Sequence, residues 1–112
     1  MQEHLVALIT AGSQEEADRI ANTLVSEMLA ACVNVLPGVT SVYRWEGRVQ
    51  RDQEWLLVAK STRHVLDDLV RCVQAIHSYD LPEIIALPVV GGSEGYLRWL
   101  DGEVHGVWHA MD

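Results

Sequence analysis

The sequence predicts an α+β fold, because two kinds of apolar pattern alternate along it. Uninterrupted apolar runs at residues 5–9 and 84–90 are typical of buried β-strands. Apolar residues recur every three or four positions over residues 14–30 and 65–76, which is typical of amphipathic helices. The 112 residues suffice for one core but not for two, so we expect a single domain over residues 1–112.

The first half of the chain predicts a strand, a helix and a long hairpin. Ser13 followed by Glu16 predicts a capping box that starts a helix over residues 14–30. Pro37-Gly38 bends or bulges the second strand, and Glu46-Gly47 turns the chain into an antiparallel return. The predicted strands of this half cover residues 5–9, 32–36, 39–45 and 49–60.

The second half predicts a helix, a loop, a strand and a short last helix. Ser61 or Thr62 is expected to cap the second helix, and Ser93 to cap the third helix, which runs to about residue 100. Pro82 disfavours helix at the residue before it, so residues 77–83 form a loop before the last strand. The resulting order, β-α-β-β-α-β plus a helix, is the split βαβ pattern of a ferredoxin-like sheet.

One face of this sheet lacks a predicted cover. Right-handed crossovers bring both main helices to one face, and the other face should then be polar. The runs 5–9, 55–59 and 84–90 are instead apolar at consecutive positions, which predicts burial of both faces. We expect a second copy of the chain to cover the open face; the alternative is that the third helix and the C-terminal tail cover it.

The predicted hairpin is also longer than the strand beside it. Its strands would span roughly 25–35 Å at ~3.4 Å per residue, against about 20 Å for the first strand. The overhang would carry Val42, Tyr43 and Trp45 on an exposed edge, which favours aggregation unless a neighbour pairs with it. Both features predict a homo-oligomer.

Charge and composition exclude several classes of partner. Eight Lys and Arg face sixteen Asp and Glu, and this charge of −8 without a basic cluster argues against nucleic acid. No segment approaches the ~20 apolar residues of a membrane span, and the run 5–9 is too short for a secretion signal. Cys32 and Cys72 do not make a disulfide framework, so we expect a cytoplasmic protein with reduced thiols.

The sequence shows no complete catalytic constellation, and we expect no enzyme activity. A phosphate-binding glycine pattern, a Ser-His-Asp context, CxxC and HExxH are all absent. Gly91-Gly92-Ser93 could offer N–H groups to an anion, although a plain turn is the simpler interpretation. His105 and His109 stand at the i,i+4 spacing of some metal ligands, or belong to a frayed tail. An isomerase with an N-terminal proline base is excluded, because Gln2 follows Met1.

His77 is a stronger candidate for a functional residue. It ends the second helix, where the helix dipole favours a charged imidazole, and Tyr79, Asp80 and Glu83 follow within a short loop. The alternative is a helix C-cap followed by a solvated acidic loop. We expect His77, Glu83 and either Tyr43 or Lys60 to lie in one pocket, with side-chain tips within roughly 10 Å.

Several motifs in the same order resemble the CutA family of divalent-cation-tolerance proteins. They extend over about residues 4–101, and the tail 102–112 falls outside the resemblance. The matching segments are Ala30-Ala-Cys-Val-Asn34, Pro37-Gly-Val-Thr-Ser-Val-Tyr-Arg-Trp-Glu-Gly47, Glu54, Lys60-Ser61, His77-Ser-Tyr-Asp-Leu-Pro-Glu-Ile85 and Tyr96-Leu-Arg-Trp-Leu100.

The resemblance implies a ferredoxin-like homotrimer whose long hairpins pair between subunits. It also implies a link to divalent-metal tolerance, with copper binding proposed for some members, whereas the likeness to PII-type signalling trimers implies a small-molecule or protein ligand instead. Ile9 and Ile76 stand where members with a proposed copper site carry ligands, so His77 alone remains as a candidate metal ligand. We expect no certain cofactor, and only weak binding of Cu²⁺ or another divalent cation.

A mixture of acids, cations and aromatics predicts a ligand cleft at the subunit seam. Alternatively, Tyr43 and Trp45 anchor the interface, and Glu54 and Lys60 form a structural ion pair. The predicted cleft residues are Tyr43, Trp45, Glu54, Lys60, His77, Tyr79 and Glu83.

Overall fold

The computed structural model describes residues 3–108 and shows an antiparallel four-stranded sheet with α-helices packed against it. The sheet order β2-β3-β1-β4 is that of the predicted split βαβ topology, which is therefore confirmed for one chain. No described helix is long and apolar enough to cross a bilayer. The strands β1–β4 are His4–Ala11, Cys32–Trp45, Arg48–Thr62 and Ile84–Pro88, and the helices α1–α3 are Gln14–Ser26, Leu66–Ile76 and Glu94–Glu103.

The core lies between one sheet face and the helices α1 and α2. Alternate side chains of β1, such as Ile9, are fully buried there and meet Leu57 from β3. Ile20 and Leu24 from α1 and Leu69 from α2 close the core from the other side. Burying a side chain of this size stabilises the fold by roughly 1.5–3 kcal/mol, so this layer fixes the positions of the strand ends.

The first helix ends earlier than its apolar pattern predicts. The pattern indicates a helix to residue 30, but α1 ends at Ser26 because Met28 takes a left-handed conformation with φ 59°. The backbone N–H groups of Leu29 and Ala30 then both donate to the carbonyl of Leu24, which closes the helix end. The apolar residues after Ser26 belong to a buried connection and not to the helix.

Thr62 and Ser93 stand at the predicted N-cap positions, but the predicted side-chain caps do not form. Ser61 still lies in β3, where its hydroxyl donates to the carbonyl of Leu29 at 2.6 Å. Thr62 precedes a 3₁₀ turn at Arg63–Val65, and neither its side chain nor that of Ser93 accepts a capping hydrogen bond. Ser61 thus fastens the connection after α1 to the sheet.

The predicted hairpin overhang is confirmed. β1 pairs with β3 only over residues 55–62, so residues 48–54 extend roughly 24 Å beyond β1 with β2 as their neighbour. Positive φ angles at Glu46 (50°) and Gly47 (78°) form the tight turn at its tip. A register shift between Leu36 and Val39 marks the predicted bulge.

The sheet face opposite α1 and α2 remains apolar and open. Leu36, Ile85 and Leu87 on this face are 42%, 52% and 49% exposed. The third helix leaves these three residues about half exposed: its Leu100 joins the core, and its Tyr96 contacts Cys32, at the start of β2. The alternative in which α3 closes the open face is therefore wrong for the described chain.

Candidate functional site

A groove lies where the hairpin overhang meets the loop between α2 and β4. Its volume is about 850 Å³, which is within the range of small-molecule sites. Glu54 lies on the same side of β3 as Leu56, so the groove continues the open apolar face. Of the seven predicted cleft residues, the structure brings together Tyr43, Trp45, Glu54, Tyr79 and Glu83 along this groove.

Tyr79 and Glu54 join the loop to the hairpin. The Tyr79 hydroxyl donates a hydrogen bond to Oε2 of Glu54 at 2.9 Å. Burial, and then this hydrogen bond, raises the pKa of Tyr79 well above its ordinary value. Tyr79 is therefore a fixed neutral donor at all physiological pH values.

Gly12 makes room for that tyrosine, and sequence reasoning missed its role. A Cβ atom at residue 12 would lie only 2.7 Å from Oη of Tyr79. Any side chain here would push Tyr79 away from Glu54. The sequence gives no signal for this requirement, because Tyr79 follows Gly12 by more than sixty residues.

Glu16 anchors the start of the loop, and its role was only half predicted. Ser13 accepts a hydrogen bond from the Glu16 N–H, as a capping box requires. The Glu16 carboxylate does not return to Ser13; it accepts the N–H of Ser78 at 2.7 Å and that of Gly12 at 3.4 Å. Burial alone would raise the pKa of Glu16, but these hydrogen bonds outweigh it and lower the pKa.

His77 packs against Tyr79 and does not itself line the groove. Its Nε2–H donates to the carbonyl of Thr10 at 2.7 Å, while Nδ1 accepts the N–H of Tyr79 at 3.1 Å. In this arrangement both ring nitrogens have a backbone partner, and Oε2 of Glu16 also lies 3.6 Å from Nδ1. The ring also packs against Tyr79, with centroids 4.7 Å apart.

These contacts bear on the expected metal site. A metal ion could reach a lone pair of His77 only after a hydrogen bond had been broken, because both ring nitrogens are engaged. Within residues 3–108 no three His, Cys, Asp or Glu side chains group as metal ligands. The His105/His109 pair falls partly outside the described residues, since these end at residue 108. The described chain therefore does not fit a dedicated metal site.

Lys60 lies far from the groove, contrary to the prediction. It pairs across the sheet with Cys32 and Val6, and its ammonium group contacts the side-chain oxygen of Asn34. Six residues of strand separate it from Glu54, which is roughly 20 Å at ~3.4 Å per residue. The Glu54–Lys60 ion pair does not form within the chain. Of the predicted pocket, Tyr43 and Glu83 lie together in the groove, but His77 does not line it.

Two further acids reach the groove without having been predicted. Asp52 accepts a hydrogen bond from the Tyr43 hydroxyl, and this bond, with burial second, raises the pKa of Tyr43. Asp80 lines the groove from the loop. Strand alternation could have indicated Asp52, because it shares a face of β3 with Glu54.

Comparisons with known proteins agree with the sequence resemblance. A model of the family described as CutA1 divalent ion tolerance protein matches residues 5–103. The divalent-cation tolerance protein CutA of Thermus thermophilus is 54% identical over 95 residues, covering 85% of this chain and 92% of that protein. The chloroplastic protein CutA of Arabidopsis thaliana is 50% identical over 96 residues, covering 86% of this chain; the chain spans only 53% of that relative.

A solved structure shows the same fold. The divalent cation tolerance protein structure from Thermus thermophilus superposes with a TM-score of 0.89 at 50% identity. The match covers 94% of this chain and 100% of the Thermus chain. The similarity therefore extends over both the sheet and the hairpin that form the groove.

Proposed function

The chain belongs to the CutA1 divalent ion tolerance protein family, and from this premise we propose that it works as a non-catalytic homotrimer in divalent-cation tolerance. The observation that carries the proposal is the apolar open face beside the hairpin overhang. The number three comes from the family resemblance, since one chain shows a surface to cover but not how many copies cover it.

The open face has the character of an unfilled core. Leu36, Ile85 and Leu87 project from three different strand positions and are all about half exposed. Each would contribute roughly 1 kcal/mol or more if a second copy removed the rest of its surface from water. An apolar patch of this kind on a single subunit indicates an interface.

The overhang supplies a second part of the interface. Val42, Trp45 and Val49 are 58%, 45% and 67% exposed, and the outer edge of β2 carries unpaired backbone groups. Pairing with another copy would satisfy these groups and bury the aromatic side chain. The hairpin is expected to join subunits in this way.

A pair of matched variants tests the interface. Ile85→Asp introduces a charge into the open face, and we expect it to weaken assembly by several kcal/mol. Val25→Asp makes the same kind of change on α1, where Val25 is 43% exposed on the opposite side of the sheet, and should leave assembly intact. The proposed interface would be contradicted if both variants dissociated to the same extent, or if neither variant dissociated.

Trp45→Asp tests the overhang separately. We expect weaker assembly, because a buried aromatic anchor would become an unpaired charge. A Trp45→Asp trimer of unchanged thermal stability would show that Trp45 does not anchor the interface.

We further propose that divalent cations bind this chain weakly. The groove offers the carboxylates of Asp52, Glu54 and Glu83, but no imidazole or thiolate reaches it in the described chain. Carboxylates without softer ligands favour weak, unselective binding of Cu²⁺ or Zn²⁺. Calorimetry should show only weak binding, and a nanomolar site at one per subunit that survives removal of residues 105–112 would contradict this.

A second candidate function is that of a PII-like sensor or adaptor. The groove of about 850 Å³ favours it, because a bare metal ion would leave most of that volume empty. Such a protein would show ligand-dependent thermal stabilisation without turnover of the ligand.

We propose a reducing compartment such as the cytoplasm. Both Cys32 and Cys72 are free thiols, and burial raises the pKa of Cys72 to about 11, which makes it unreactive. The relative from Arabidopsis is named as chloroplastic, so subcellular fractionation is the test.

A further inference from the structure

We propose that the hairpin tip of one copy docks on the acidic groove of the next copy, so that arginines of a neighbour complete the groove. The inference deepens the proposed function and rests on its homotrimer, because it assigns two of the surfaces that meet there. The basic tip comprises Arg44, Arg48 and Arg51, at the end of the hairpin overhang. Three observations support the contact: unpaired arginines on the tip, unpaired acids in the groove, and apolar surface beside both.

The basic tip concentrates positive charge on an acidic protein. Three of the eight Lys and Arg residues lie within residues 44–51, although the whole chain has a formal charge of −8 and this segment holds one acid, Glu46. All three arginines are exposed; Arg44 and Arg51 lie diagonally across the strand ladder on one face, and Arg48 lies on the other. Like charges that are neighbours on one face of a ladder repel each other. A carboxylate from outside the hairpin would relieve this repulsion.

The arginines of the helices have acidic partners within the chain, whereas those of the basic tip have none. Arg19, Arg71 and Arg98 each form an ion pair with an acid about one helical turn away. Within residues 3–108 no arginine of the basic tip forms an ion pair. Arg44 reaches only the carbonyl oxygen of Gly47, at 3.5 Å. The tip therefore presents guanidinium groups that are free to meet another copy.

The groove has the opposite imbalance of charge. Its acids form no ion pair with any cation in the part of the chain that the structure describes, and no Lys, Arg or His from that part lines it. A second copy that covered these carboxylates without a counter-charge would remove their water at a net cost. Assembly over the groove therefore favours a neighbour that brings cations. The four acids are Asp52, Glu54, Asp80 and Glu83.

The apolar parts of the two surfaces also match. Val42 and Val49, which are 58% and 67% exposed, lie on the same face of the overhang as Arg44 and Arg51. The groove offers apolar surface beside its acids, including Leu81, which is 72% exposed. The valines and the groove acids of β3 project from opposite faces of the overhang, because side chains alternate along a strand. The contact therefore joins copies head to tail, and in a homotrimer it closes into a ring.

An occupied groove agrees with the weak binding of divalent cations proposed above. The guanidinium groups of a neighbour would neutralise the carboxylates that a metal ion would otherwise meet. A small ligand of the second candidate function would have to share the groove with these arginines.

Subunit exchange tests the contact, whatever the affinity of the assembly. Isotopically labelled and unlabelled full-length chains are mixed, and native mass spectrometry follows the appearance of mixed assemblies. In the variant Arg44→Glu/Arg51→Glu we expect exchange at least roughly tenfold faster than in the wild type, or loss of the trimer, because breaking interfacial charge pairs raises the dissociation rate. Exchange at the wild-type rate would overturn the proposal.

A charge swap separates a specific contact from an effect of net charge. Adding Asp80→Lys and Glu83→Lys to the tip variant restores the wild-type net charge of −8 and reverses both surfaces, so exchange should return to within roughly threefold of the wild-type rate. Adding Asp18→Lys and Glu27→Lys instead, on exposed positions of α1, gives the same net charge but leaves the groove acidic. This control should exchange as fast as the tip variant. Equal exchange rates in the two four-residue variants would overturn the proposal.

Failure of this contact can be distinguished from failure of the proposed function. All the substituted side chains are exposed in the single chain, so the variants should keep its fold. A wild-type trimer whose exchange is unaffected by the tip substitutions would refute the contact and leave the proposed homotrimer standing. A wild-type monomer would refute the homotrimer itself, and this contact with it.

Discussion

The close approach of Gly12 to Tyr79 predicts that the effect of Gly12→Ala on stability depends on whether residue 79 is Tyr or Phe. In Gly12→Ala, the new Cβ would lie 2.7 Å from the Tyr79 hydroxyl oxygen but 3.5 Å from the nearest ring carbons. The clash is therefore with the oxygen alone. To relieve it, Tyr79 must move and stretch or lose its 2.9 Å hydrogen bond to Glu54.

The expected loss of stability in Gly12→Ala has two contributions. Overpacking costs about 1–3 kcal/mol, and a hydrogen bond to a charged group contributes about 1.5–3 kcal/mol, of which part is lost. We expect Gly12→Ala to destabilise the chain by about 2 kcal/mol. The backbone of Gly12 is not in the left-handed region, so alanine itself adds no strain there.

A double-mutant cycle isolates the clash. Tyr79→Phe removes the oxygen and leaves only ordinary van der Waals contacts to a Cβ at residue 12. In that background Gly12→Ala should be neutral, or stabilising by about 0.4–1 kcal/mol, because alanine restricts the unfolded chain. The assay is urea unfolding at one fixed protein concentration. A cost for Gly12→Ala that is the same in both backgrounds would refute the reasoning.

Further predictions concern the loop anchor and the C-terminal segment. The lowered pKa of Glu16 means that its carboxylate stabilises the fold above the ordinary pKa of 4.5 and loses this effect as pH falls through the folded pKa. The urea concentration at the unfolding midpoint should therefore fall as the pH is lowered below 4.5. In Glu16→Gln this midpoint should depend less on pH. An unchanged pH dependence would contradict the contacts of Glu16. Gly106→Ala should destabilise the chain by about 2 kcal/mol or detach the C-terminal segment, because its Cβ would lie 1.9 Å from the carbonyl oxygen of Glu27. Gly102→Ala, where a Cβ meets nothing within 4 Å, is the control, and equal melting temperatures for the two variants would refute this.

The sequence was sufficient for the fold, because strands and hairpins leave local signals. The apolar run 5–9, the turn at Glu46-Gly47 and the excess length of the hairpin all stand in contiguous residues. Each matches an element that the structure describes. Helix ends were less predictable, since α1 stops where Met28 changes conformation and not where its apolar pattern ends.

The site was only partly predictable, because contacts across the fold leave no local signal. Strand alternation puts Lys60 on the same sheet face as Glu54, but the distance along the strand separates them. His77 was identified as important from its place at a helix end, yet its actual partner, the carbonyl of Thr10, comes from a strand at the far end of the sequence. Gly12 could not be identified at all without Tyr79 above it.

The mass of the assembled protein is the most direct test of the central claim, that copies of the chain close the open face and pair their hairpins. Native mass spectrometry and light scattering of the full chain at micromolar concentration measure it. The account predicts about three times the chain mass of 12.5 kDa, and a loss of this species in Ile85→Asp but not in Val25→Asp. A stable monomer, with Leu36, Ile85 and Leu87 left in water, would contradict the account.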